Sequence, residues 1–239
     1  MGEILTLKVL SRLLTYPGAE LAGASAAITG ALEAEALLDA DARAALAPLV
    51  TALADDDLYD LQEAYVSLFD RTRRLSLHLF EHVHGESRDR GQAMVDLAAL
   101  YQKAGLSISA NELPDFLPLF LEYAATRPLP EVQSLLGDVD HILAALEGRL
   151  AERGSRYAAV FTALRGLAGD ARAAAPAQEG LPSPAEETAA PADELAALDK
   201  DWEETVVTFG PGDAMGGCSV DRFRTQLRAA RRDVRHPAA

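Results

Sequence analysis

The stretch "SLHLFEHVHGESRDRG", residues 76–91, carries three of the chain's five histidines, His78, His82 and His84. Two folds compete for it. As a pattern, "HLFEH" is H-x-x-E-H, the zinc-ligand signature of the inverted zinc peptidases. On a helix His78 and His82 would share one face with Glu81 beside them, the arrangement in which two imidazoles hold zinc and a carboxylate serves as general base. Such an enzyme also needs a third ligand downstream and a sheet to bind substrate. Glu147 and Glu152 stand at a suitable distance, but glutamate is common here and strand-forming runs to build a sheet are lacking. Read at full length, the stretch is instead a helix–turn–helix junction crowded with both charges. Arg71, Arg73, Arg74, His78, Glu81 and His82 precede the turn at Gly85; Glu86, Ser87, Arg88, Asp89 and Arg90 follow it. Gly85 permits the tight turn, and the new helix N-terminus at Ser87 is suited to anions. A plainer alternative makes His78 and His82 partly buried helix residues held by their neighbours.

Composition favours the helical reading. Of 239 residues, 49% are hydrophobic but only 6% aromatic. Alanine and leucine dominate, and both are strong helix formers. The expected class is therefore all-α, a single helical bundle. The net charge of −15 excludes nucleic acid as a partner, since phosphate contacts need lysine and arginine, and suits a partner carrying positive charge. A single cysteine, Cys218, excludes an internal disulfide and a cysteine-built metal site. The N-terminus, with Glu3 and polar residues among its apolar ones, lacks a signal-peptide pattern, and no apolar run is long enough to span a membrane. A reducing, cytoplasmic setting without membrane insertion is expected.

Apolar spacing predicts helices over residues 4–16, 19–35 and 41–54, the last capped by Asp41. A long helix follows the acids at 55–57 and runs to His84, with Thr72 interrupting its stripe. Ser87 caps the next, over 88–104, which Gly105 stops. "SANE" at 109–112 resembles a capping box for a helix carrying Phe116, Leu119, Phe120 and Tyr123. "RPLP" at 127–130 breaks the pattern; helical stretches to Leu136 and over 138–153 are separated at Gly137, and a last core helix covers 157–167. The helical domain is thus expected over 1–168. Residues 169–195, rich in Pro, Ala and Glu, read as a disordered linker. Residues 196–239 form a tail with the only tryptophan, Trp202, an extended run ending at Phe209, and an arginine-rich amphipathic helix.

Several segments resemble one family. "YVSLFDRTRRLSLHLFEHVHGESRDRGQAMVDLAALYQKAGL" at 65–106, with "LSRLLTYPG", "ELPDFLPLFLEY" and the late "WEETVVTFGPG", closely resembles the nitrate reductase molybdenum cofactor assembly chaperones, also called the delta subunit. The resemblance covers about residues 4–167 and that late segment. It implies an all-helical bundle that is not an enzyme and binds no cofactor stably. It implies that the partner is the apo alpha subunit of respiratory nitrate reductase, bound through its N-terminal segment, a remnant of a twin-arginine signal. The chaperone then keeps that subunit competent for insertion of molybdenum–guanine dinucleotide and prevents premature membrane attachment; cofactor-delivery proteins are further partners. Relatives carry a Glu-x-x-Asp-His-like motif at a helix start; here Glu112 and Asp115 match, and Phe116 stands in place of the histidine. Alternatives are a same-fold chaperone for another molybdoenzyme, or a zinc hydrolase using His78, Glu81 and His82.

An amphipathic client helix would dock by its apolar face in a groove of the bundle. Tyr65, Phe69, Leu117 and Phe120 are candidate groove walls, with plain core packing as the alternative for each. Glu81, Glu86, Asp89, Glu112 and Asp115 are candidate acidic contacts for a basic peptide, or solvated and capping groups. His78 and His82 would make binding pH-sensitive. Arg71, Arg74, Arg88 and Arg90 are expected as internal ion-pair partners or as anchors for a peptide carboxylate. Trp202 and Phe209 would fold back over the groove or cover an apolar patch.

Overall fold

The structure, a computed structural model, describes residues 2–83, 89–109 and 112–169 (of Asp89, the backbone alone). Within them the chain is helical: α1 Leu5–Leu13, α2 Ala19–Ala22, α3 Ser25–Glu35, α4 Ala40–Asp55, α5 Leu58–Phe69, α6 Asp89–Lys103, α7 Leu117–Ala125, α8 Leu129–Glu152 and α9 Ala158–Ala168. Single 3-10 turns lie at Arg73–Leu75 and Leu79–Glu81. No β-strand occurs among the described residues; the one sheet-like contact is an isolated antiparallel bridge between His78 and Phe116. The linker, Trp202, Phe209, Cys218 and the arginine-rich tail lie outside the described residues.

The core is built on α8. Val132, Leu135, Val139, Ile142, Leu146 and Leu150 recur at helical spacing, and all are at most 1% exposed. Each fully buried leucine or isoleucine contributes roughly 2 kcal/mol over an exposed one. Against this stripe α9 returns as a hairpin, turned by Gly154 at φ +63°, where Ser155 N–H closes back on Leu150 C=O at 2.9 Å. Arg165 of α9 reaches Asp140 and Glu147 of α8. Across the bundle α1 lies antiparallel to α7: Ile4 N–H bonds Ala125 C=O at 2.8 Å at one end, and Ser11 Oγ–H bonds Pro118 C=O at 2.8 Å at the other. The first turn of α1 has no cap of its own. Glu35, at the end of α3, supplies it, accepting from Leu5 N–H at 3.0 Å and Thr6 N–H at 2.6 Å.

Several expected boundaries move, each for a local reason. The second helix divides into α2 and α3 around Gly23. The cap of α4 is Asp39, which accepts from Ala42 N–H, rather than Asp41. Gly137 does not interrupt α8, because its neighbours continue the buried stripe on both sides and outweigh a glycine's cost of about 1 kcal/mol. "RPLP" starts that helix instead of only breaking the previous one: Pro128 caps it and Pro130 sits in the first turn, where no N–H partner is required. "SANE" opens no helix, since α7 begins at Leu117 and the described residues from Glu112 to Phe116 lie outside it.

The largest correction is at residues 58–83, which do not form one helix. The chain leaves α5 after Phe69, and beyond it Leu75, Leu77 and Leu79 are all buried. Leu75 and Leu79 belong to the two 3-10 turns, and the short extended stretch between them pairs with the chain just before α7. Leu117 N–H bonds Leu77 C=O at 2.8 Å, and Leu79 N–H bonds Asp115 C=O at 3.0 Å.

Candidate functional site

The paired segments 76–82 and 112–117 bring together the least exposed carboxylate among the described residues and the groups around it. Asp115 is fully buried. Its Oδ1 stands 3.1 Å from His78 Nδ1, and its Oδ2 accepts from Phe80 N–H at 3.1 Å. Its backbone carbonyl takes Leu79 N–H, so one residue satisfies three groups of the facing segment. A buried carboxylate is tolerated only with such partners. The His78 ring is about one-third exposed and tilts over Phe116, centroids 5.4 Å apart. Phe116 thus packs against the imidazole from the facing segment.

His78 and His82 do not share a helix face, as zinc ligation by H-x-x-E-H would require; they are turned to different partners. His82 Nε2–H donates to Ser76 C=O at 2.8 Å, which fixes that tautomer. The hydrogen bond to Asp115 raises the pKa of His78 above its ordinary value, against a smaller opposing effect of burial. Burial lowers that of His82 despite its carbonyl partner. At neutral pH the first therefore favours its charged form more than a free histidine does, and the second favours its neutral form.

Around this pair Glu81 Oε1 lies 3.7 Å from Arg90 Nη2, tying the turn at Leu79–Glu81 to α6. Tyr101 of α6, fully buried, donates its hydroxyl to Pro114 C=O at 2.9 Å, which fixes the approach of 112–117 from the other side. Arg149 of α8 bonds Arg74 C=O at 2.8 Å beneath the preceding turn. Glu112 and Leu113 stand on the surface, Leu113 47% exposed.

The other expected site residues divide plainly. Tyr65, Phe69, Leu117 and Phe120 are at most 5% exposed and belong to the core, so none presents a groove wall. Tyr65 donates to Leu14 C=O at 2.9 Å and packs at a tilt against Phe69, centroids 4.9 Å apart, with Tyr157 closing the cluster at 5.1 Å from Phe69. Arg71 and Arg74 are exposed. Glu86, Arg88 and the side chain of Asp89 lie outside the described residues. Missed in the sequence were Tyr101, Arg149 and Leu113. Tyrosine or arginine on a helix carries no signal of a distant carbonyl partner, whereas an exposed leucine beside Glu112 interrupts a polar run and was readable.

Comparison with known proteins places this geometry in context. The family model described as nitrate reductase delta subunit matches residues 35–163. The nitrate reductase molybdenum cofactor assembly chaperone NarJ of Escherichia coli is 41% identical over 227 residues, 95% of this chain and 94% of that protein. The nitrate reductase-like protein NarX of Mycobacterium tuberculosis is 33% identical over 154 residues, 64% of this chain but 23% of that longer protein. Among solved structures, a protein of Archaeoglobus fulgidus assigned as a redox enzyme maturation protein superposes with a TM-score of 0.50 at 23% identity. It covers 70% of this chain and 94% of that one, a likeness of fold.

Proposed function

The chain belongs to the nitrate reductase delta subunit family, and on that premise we propose that it is the assembly chaperone of a respiratory nitrate reductase. In this reading it works in the cytoplasm and binds the apo alpha subunit through that subunit's N-terminal segment. It keeps the client open for insertion of molybdenum–guanine dinucleotide, delivered by other proteins, and delays membrane attachment until insertion is complete. The observation that carries the reading is the 41% identity to an assembly chaperone along 95% of the chain. The chain is not an enzyme, because the relatives that match it along its length are named chaperones and not catalysts. Among the described residues no helix is long and apolar enough to cross a membrane.

The junction of 76–82 with 112–117 is the surface we assign to the client. Leu113 offers an exposed apolar anchor, Glu112 an exposed acid, and His78 and Glu81 partly exposed polar edges; Asp115 is the internal brace that holds their backbones in place. A chain at −15 draws a basic segment electrostatically and speeds encounter. Calorimetry with the N-terminal peptide of the alpha subunit tests this. Saturable binding that weakens in a Glu112→Lys variant supports it, and no heat at high micromolar peptide overturns it.

A further inference from the structure

A second surface lies on the opposite side of α1 from its core face. Leu7, Leu10 and Leu14 point inward, whereas Leu5, Val9 and Tyr16 line a groove of about 470 Å³ whose other wall is Leu21 of α2, Ala24 at the cap position of α3, and Ile28 of α3. Leu5 is 48% and Tyr16 52% exposed, two of the five large apolar side chains exposed among the described residues. Apolar grooves of this kind mark places where something docks. At the rim Lys8 and Arg12 bring two positive charges against the single Glu20, in a chain that is otherwise strongly acidic; Lys8 also meets Glu3.

We propose that this groove is covered by the chain's own residues 199–209, "DKDWEETVVTF". Their chemistry is complementary to it. Trp202, Val206 and Phe209 put three large apolar side chains within eight residues, matching the apolar lining of the groove. Asp199, Asp201, Glu203 and Glu204 against Lys200 give the segment a net charge of −3, which suits the side of the groove that carries Lys8 and Arg12. Trp202 lies 33 residues beyond Gly169, and a connection of that length reaches any point on a domain about 40 Å across without being fully extended. The match to the Escherichia coli relative takes in 227 of the 239 residues, so it extends through this segment instead of stopping with the bundle.

Trp202 is the only tryptophan, which makes the full-length chain its own reporter. The experiment is acrylamide quenching and emission of Trp202, in the wild type and in Val9→Asp, with helix content checked by circular dichroism. A second variant, Glu203→Lys with Glu204→Lys, alters only the tail and leaves the bundle's residues untouched. The expected result is a blue-shifted, shielded Trp202 in the wild type, with a red shift and a several-fold higher quenching constant in both variants. Quenching in the wild type equal to that of the urea-unfolded chain overturns the proposal, as does wild-type shielding that both variants retain. Shielding that fades on dilution while sedimentation shows a dimer also overturns it, because the occupant is then a second copy. None of these readouts needs a client, so the result stands apart from the chaperone reading.

Discussion

Asp115 and His78 are the hinge pin of the junction: a fully buried carboxylate meets a partly exposed imidazole at 3.1 Å across two segments that are 37 residues apart in the chain. The other carboxylate oxygen is committed to Phe80 N–H, a buried donor with water shut out. Truncating the carboxylate in Asp115→Ala therefore strands a backbone donor as well as the histidine. The expected loss is about 2–3 kcal/mol of unfolding free energy, read by urea denaturation, with Asp115→Asn losing about half because its amide oxygen still accepts one bond. Equal stability of all three proteins would show that the carboxylate braces nothing.

The two histidines should impose opposite pH dependences. His78 has a folded pKa raised by Asp115, so its contribution is complete below the ordinary value of 6.5 and is lost as pH rises through the raised folded value. Burial depresses the folded pKa of His82, so its contribution is complete above the ordinary value and is lost as pH falls toward the folded value. Between about pH 5 and about pH 8, where histidine titrates, a His78→Gln variant should lose more stability at the acid end and His82→Gln more at the neutral end. Urea midpoints across that range check the pair. Parallel profiles for the two variants would contradict the assigned partners.

Glu35 makes a long-range cap testable on its own. The first turn of α1 is held by a carboxylate from the end of α3 and not by Ile4 at its own cap position. Glu35→Ala should cost about 1 kcal/mol, the usual worth of a helix cap, and Glu35→Gln less because one amide oxygen remains as acceptor. Exchange of the Leu5 and Thr6 amides should quicken in Glu35→Ala while the amides of α8 stay protected.

What the residues disclosed and what they hid follow from which forces are local. Helices α1, α4 and α9 were readable because Leu and Ala at three- and four-residue spacing are both pattern and propensity. The stop at Gly105 was readable because its φ of +82° is a conformation only glycine enters freely. The break after Phe69 was hidden because the partner of Leu77 and Leu79 lies at 115–117, and tertiary pairing overrides helix propensity there. The period-two run Leu75, Leu77, Leu79 did signal it, but Leu68, Leu75 and Leu79 also fit a helical stripe once Leu77 is passed over. The same ambiguity made Phe69 and Phe120 groove candidates: an apolar face in a sequence says that something covers it, and not whether the cover is the protein or a client.

That last distinction separates two classes of variant. Phe69 is 5% exposed and packed between Tyr65 and Tyr157, so Phe69→Ala should cost about 3–4 kcal/mol of stability as its cavity opens. Leu113 is 47% exposed, so Leu113→Ala should move stability by no more than about 0.5 kcal/mol. Binding of the alpha-subunit peptide should reverse the order. Measured at a temperature where both variants are folded, Phe69→Ala should keep its affinity, since a core side chain touches no client. Leu113→Ala should lose about tenfold in Kd, the equivalent of the roughly 1.4 kcal/mol that a partly buried leucine anchor contributes. Denaturation and calorimetry on the same preparations decide it. An affinity loss in Phe69→Ala with none in Leu113→Ala would move the client surface from the 112–117 segment to the neighbourhood of α5.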